Sequence, residues 1–432
     1  MNGRTELSQP PVSSAPVRAH TAASRKQLLL MSFIIAGGVI SYMDRAVFGV
    51  LAPLIRRDLA LDAGQLGLAL GLFGFGYALF TGVGGWAADR FGTRIVLSIS
   101  MLAWSLLCGL TGATGGLISL LTVRFLFGLT ESPWVPASSK AVSQWFARDR
   151  YASAIGIASC GQPLGGAVAG PLAGLAAAAI GWRASFAVVA SIGFLWSLAW
   201  VLWAPRATRP PEVQPSTAQL PPAESTGGAR APSVLKLLWQ PAIVATAFSF
   251  AAANYLITFF FSWFPSYLMG QRGMSEVHMS VFTSFPWIVG TVALLAGGFL
   301  SDFLRRKLDD ALFGRKIILV SCLLVAGVCV ALVPLVSTAS TAVALMTLAV
   351  GLLYLSGPNY YAIINELVPA SAIGSSFGIV VIFVTCAGII SPVTAGYLIK
   401  ASGSYLPAFM VTGAISVLGA VAFAVGARRS VA

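Results

Sequence analysis

The chain is a succession of apolar runs, each about long enough to cross a lipid bilayer, separated by short charged or Pro/Gly-rich breaks. Such runs begin near Gln27, Gln65, Ile95, Leu117, Ala152, Arg183, Pro241, Val277, Lys316, Thr341, Ile373 and Leu406. Hydrocarbon offers no partner for a free backbone N–H or C=O, so each run has to be a helix. Composition agrees: 57% of the residues are hydrophobic and only 9% charged, too little polar surface for a water-soluble globule. The expected fold is an all-α membrane protein with twelve transmembrane helices.

Charges inside such runs are expensive and point to function. The first run, "LLLMSFIIAGGVISYMDRAVFGVLAPLI", carries Asp44 and Arg45, and the fourth, "LISLLTVRFLFGLTESPWVPA", carries Arg124 and Glu131. Arg124 and Glu131 are seven residues apart, which puts them on nearly one helix face, about 10.5 Å apart along the axis. A guanidinium stays charged and offers a planar fork to a carboxylate, whereas an acid in apolar surroundings can take up and release a proton. Two arginines with two acids therefore suggest a proton-coupled path for a small organic anion. The bland alternative is a pair of static ion pairs, each acid with one arginine.

The net charge of +13 does not indicate a nucleic-acid binder, because the cations are sorted by side. Most lie in the N-terminal tail, after the second, fourth and eighth runs, in the centre and at the C-terminus; only Arg56, Arg57, Arg183, Arg272 and Lys400 fall on the opposite side. The positive-inside rule then puts both termini in the cytoplasm. The five cysteines all lie in apolar runs, which argues against a disulfide framework. Residues 1–26, rich in Ser, Ala and Pro, read as a disordered cytoplasmic tail without the short apolar core of a signal peptide.

Residues 205–240 are dense in Pro, Ser and Thr and read as a cytoplasmic linker between two six-helix bundles, 27–204 and 241–428. A repeat supports that seam. "GGWAADRFGTR" ends the second run and "GGFLSDFLRRK" ends the eighth, the second of the other half. In each, a Gly-Gly pair is followed at the same spacing by an acid, Asp89 or Asp302, and then by cations, Arg90 and Arg94 or Arg305. The glycines let helices approach closely, and the charges can form a latch at the cytoplasmic face together with Glu366 of "NELVP".

These features resemble the major facilitator superfamily, over about residues 27–428. More narrowly, "YMDR", "VRFLFGLTESPWVP", "WFARDRYASAIGIASCGQPLG" and "FFFSWFPSYL" resemble its anion:cation symporter group, which includes bacterial permeases for galactonate, hexuronates, glucarate and tartrate. The resemblance implies two pseudo-symmetric bundles with a cavity between them lined by helices 1, 4, 7 and 10, working as a monomer in a bacterial inner membrane. It implies that Asp44 and Glu131 carry protons, that Arg45 gates through Asp44, and that Arg124 holds the substrate carboxylate. Tyr42, Tyr77, Gln162 and Tyr361 match pocket positions, and Asn254 and Asn359 are possible hydroxyl partners. In helix 11, "GIVVIFVTCAGIISP" has Val381 near the place where sugar-acid carriers of the group have an Asn, so a less hydroxylated or aromatic acid, contacted by Tyr360, Tyr361, Phe383 and Trp263, is also in view.

An enzyme is not indicated: the chain has no HExxH, no cysteine–histidine pair and no phosphate-binding GxxxxGK[ST] loop, which also argues against ATP-driven transport. No cofactor or metal is expected. Within transport, proton-coupled uptake leads, and export of a drug or metabolite by proton antiport is the alternative.

Overall fold

The computed structural model describes residues 24–146, 148–205, 241–307, 311–367 and 373–427. The described residues are helical almost throughout. Span 1 is Arg25–Asp58, span 2 Ala63–Phe91 and span 3 Thr93–Thr111. Span 4 comes in two pieces, Leu117–Glu131 and Trp134–Ser143, because Pro133 lacks the amide that would continue the hydrogen-bond ladder. Arg148–Ser159 leads into Gly161–Trp203, a single long element that turns at Gly181, where φ is 81°, and so supplies spans 5 and 6. The second half contains span 7, Pro241–Gly270; span 8, Glu276–Phe282 with Phe285–Lys307; and span 9, Ala311–Leu332. Span 10 is Ala339–Leu367, span 11 Ile373–Ser402 and span 12 Leu406–Gly426. Among the described residues, ten helical stretches are long and apolar enough to cross a membrane. The turn at Gly181 and the two-piece span 4 bring the crossings to the expected twelve.

The two halves repeat one packing scheme. Span 1 lies on span 5, 2 on 4 and 3 on 6; correspondingly 7 lies on 11, 8 on 10 and 9 on 12. The repeated glycines serve this scheme at equivalent places. A Cβ on Gly84 would come within 2.5 Å of the Pro133 backbone at the break in span 4, and one on Gly297 would collide with the carbonyl of Leu355 in span 10. Both positions thus require a residue without a side chain for spans 2 and 8 to sit close against their neighbours.

Spans 1 and 7, 2 and 11, and 5 and 8 join the halves. The close approaches among them run from mid-depth to the end of the molecule that carries Asp62 and Lys400. Gly67 packs against the backbone of Pro392 and Gly396, Gly71 against Ile389 and Val393, Gly49 against Phe261, and Gly170 against Ser280. At the surface of that end Lys400 bonds Asp62 at 3.0 Å across the seam. Asp62 also caps span 2 through the Gln65 amide at 2.9 Å, and the Gln65 side chain returns the bond to the Asp62 amide. The Gln65 amide and Lys400 together hold the Asp62 carboxyl below the ordinary range for an aspartate.

Candidate functional site

Between the halves lies a cavity of about 170 Å³. Span 1 contributes Tyr42, Arg45 and Ala46, span 2 Phe73 and Tyr77, span 4 Arg124, span 7 Asn254 and Thr258, span 8 Trp287, and span 11 Thr385 and Gly388. Of the four spans the resemblance puts around the cavity, 1, 4 and 7 contribute; spans 2, 8 and 11 complete the described lining in place of span 10.

Arg124 is the most telling member of the site. It is 3% exposed, yet no described carboxylate pairs with it. Its Nε donates to the Ala69 carbonyl at 3.3 Å, and its guanidinium lies 4.1 Å from the ring centre of Phe48, 4.8 Å from Phe73 and 5.5 Å from Phe127. Its Nη1 is buried without a partner. Three aromatic faces thus hold the cation in place while part of its donor fork stays free for an anion.

Arg45 is differently engaged. Its Nη2 lies 2.8 Å and its Nε 2.9 Å from Glu131 Oε1, and the Ser41 hydroxyl donates to the same oxygen at 2.5 Å. Glu131 Oε2 is buried with no partner. Arg45 also lies over the rings of Tyr77, Phe73 and Tyr42, at 4.6, 5.0 and 5.3 Å. The expected contact of Arg45 with Asp44 is absent, and helix geometry explains it: adjacent residues point about 100° apart, whereas Ser41 and Arg45, four apart, share a face and meet Glu131 together.

Asp44 faces away from the cavity into the N-terminal bundle. Its Oδ2 accepts a hydrogen bond from the indole of Trp104 on span 3 at 3.0 Å, and its Oδ1 has no partner. Trp104 packs edge-on against Trp134, and Trp134 against Trp196, each at 5.5 Å. Both acids therefore have one oxygen held by donors and one buried oxygen without a partner. Trp104 and Ser41 were not singled out in the sequence. The i, i+4 spacing of Ser41 and Arg45 was a usable signal; nothing in the sequence links Trp104 to Asp44.

The other expected residues divide. Tyr42, Tyr77 and Asn254 line the cavity. Gln162 is half-buried at the start of Gly161–Trp203 and Asn359 is fully buried, and neither belongs to the lining. Tyr360 stacks on Phe250 and bonds Ser249, and Trp263 donates to the Pro392 carbonyl, so both serve packing within the second half. The side chains of Tyr361, Asp302, Arg305 and Glu366 lie outside the described residues, as does most of the 205–240 segment. Asp89 bonds Lys140 of its own half at 2.7 Å, Arg94 donates to the Val201 and Ala204 carbonyls at the end of span 6, and Arg90 is exposed. Asp89 and Arg94 thus find partners within the first half, at the end of the molecule away from the Asp62–Lys400 seam.

The sequence matches the Major Facilitator Superfamily over residues 34–354. The chain belongs to that family. It is 39% identical over 401 residues to the hexuronate transporter of Bacillus subtilis (strain 168), covering 92% of this chain and 94% of that protein. It is 31% identical to a probable sulfoacetate transporter of Cupriavidus necator, covering 89% and 90%, and 28% identical to the D-galactonate transporter of Escherichia coli O6:H1, covering 94% and 97%. The fold matches a bacterial homolog to the human lysosomal transporter Spinster in an inward-facing and unoccupied conformation, with a TM-score of 0.72 at 18% identity over 94% of this chain and 96% of that one. Like these relatives, this facilitator is a multi-pass membrane transporter and not an enzyme.

Proposed function

We propose that this facilitator carries a small organic anion, a sugar acid or similar carboxylate, into the cell together with protons by alternating access. Arg124 holds the carboxylate, Glu131 and Asp44 carry the protons, and Arg45 gates through its pairing with Glu131. The supporting observation is Arg124 itself: a buried guanidinium on the cavity wall, steadied by three rings and a backbone carbonyl, with a free donor. Such an arrangement is costly unless an anion completes it. The relatives named as hexuronate and galactonate transporters favour the same substrate class. We place both termini in the cytoplasm of a bacterial inner membrane, with bundles 27–204 and 241–428 working as a monomer. In that orientation the sealed Asp62–Lys400 end is outside and the protein is in its inward-facing state. The deciding experiment is uptake into proteoliposomes under an imposed proton gradient; accumulation of no carboxylate under any gradient refutes the assignment.

The seam suggests a smaller, separable effect. Lys400→Gln removes the pair across the halves and leaves the Asp62 cap in place. Exposed pairs contribute about 0.5 kcal/mol, so the outward-open population should rise about two- to threefold. Distances between spin labels on spans 2 and 11 at that end measure the shift, and an unchanged distribution would mean that the pair does not bias the states.

A further inference from the structure

The two walls of the cavity differ sharply in charge. Both arginines belong to the first half and lie around one ring, Phe73, at 5.0 and 4.8 Å. Arg45 is already matched by Glu131, so the cavity has one uncommitted positive charge. Among the described residues that line it, the opposite wall has none: span 7 contains no charged residue at all, and span 11 only Lys400, which is held by Asp62 at the far surface. What that wall does offer is neutral polar atoms. Asn254 donates from Nδ2 to the Val384 carbonyl at 2.8 Å, which pins its amide. Thr385 gives its proton to the Val381 carbonyl at 2.8 Å and so presents oxygen lone pairs to the cavity. Gly388 leaves the space in front: a Cβ there would come within 3.0 Å of the Asn254 amide nitrogen.

We propose that the site selects monocarboxylates with a neutral, hydroxyl-bearing remainder and discriminates against dicarboxylates of the same size. This rests on the assignment of the cavity as the anion site. With Arg45 held by Glu131, the single free guanidinium of Arg124 balances one carboxylate. A second carboxylate at the other end of a six-carbon chain would face Asn254 and Thr385, where lone pairs and no cation await it, and a buried charge left uncompensated is strongly unfavourable. A hydroxyl or carbonyl at the same place meets acceptors or the remaining amide hydrogen. Thr385 sits one turn beyond Val381, so a hydroxyl reaches the cavity from span 11 although the amide of sugar-acid carriers is missing at 381.

D-glucuronate and D-glucarate carry the test, because they share six carbons and one terminal carboxylate, and the far end is a neutral, hydroxyl-bearing hemiacetal in one and a second carboxylate in the other. Binding of each to the purified full chain, by ligand-induced thermal shift and by competition in counterflow, should favour glucuronate at least tenfold. Thr385→Val and Asn254→Ala should each weaken glucuronate binding severalfold. Equal or tighter binding of glucarate by the unaltered protein overturns the selectivity and leaves the anion site standing. Failure of every carboxylate to bind or exchange refutes instead the assignment of the site.

Discussion

Arg124→Lys is expected to weaken substrate binding about 10- to 100-fold while leaving the fold intact. Both side chains are cations, so the general potential of the cavity is kept. What disappears is the planar fork. In the native protein Nε is committed to the Ala69 carbonyl, three ring faces fix the plane, and Nη1 is free. A lysine ammonium cannot donate to Ala69 and to a carboxylate in that fixed geometry, and a charge-assisted hydrogen bond is worth about 1.5–3 kcal/mol, which gives the range stated. Thermal shift with ligand and counterflow exchange measure the loss. Near-normal binding by the lysine variant would assign Arg124 to structure.

Glu131→Gln should separate binding from accumulation. A glutamine cannot release and regain a proton, so exchange of substrate across the membrane persists while a proton gradient no longer concentrates it. The variant has a second, structural consequence. Glu131 receives both Arg45 bonds and the Ser41 hydroxyl on one oxygen, and its neutral replacement leaves the partly buried Arg45 without a counter-charge. Loss of one partner of a buried pair costs about 3–5 kcal/mol, an upper bound here because Arg45 borders the cavity. Asp44→Asn provides the contrast. Its partner is the neutral Trp104 indole, and an amide oxygen still accepts that bond, so this variant should fold with little penalty and show its defect in coupling alone. Counterflow and gradient-driven uptake measured side by side on folded protein decide the matter, and full accumulation by both neutral variants would remove these acids from the proton path.

Much of this architecture was legible in the sequence because a bilayer leaves few choices. Helix starts follow from the apolar runs to within a few residues, as the observed starts at Ala63, Leu117 and Leu406 illustrate. The four charged residues of spans 1 and 4 stood out because charges there are rare. Their partners were harder to see. Arg45 faces Glu131, 86 positions along the chain, and Asp44 faces Trp104, 60 positions along, and one-dimensional spacing contains no such contacts. Neutral members of the cavity such as Phe73, Thr258, Thr385 and Trp287 were equally hidden, since apolar and hydroxyl side chains are ordinary in membrane helices and only the packing of one half on the other selects them. Asn359 shows the reverse error: a conspicuous amide that is fully buried apart from the cavity.

The tryptophan beside Asp44 gives the molecule an optical property. Trp104 is fully buried, away from water, and its indole N–H points at the carboxylate proposed above to carry a proton. Trp134 and Trp196 follow Trp104 in edge-to-face contact, within energy-transfer range. On the mechanism proposed above, arrival of a proton at Asp44 would change the fluorescence of this small aromatic array, which makes the protein's own emission a label-free readout of that step.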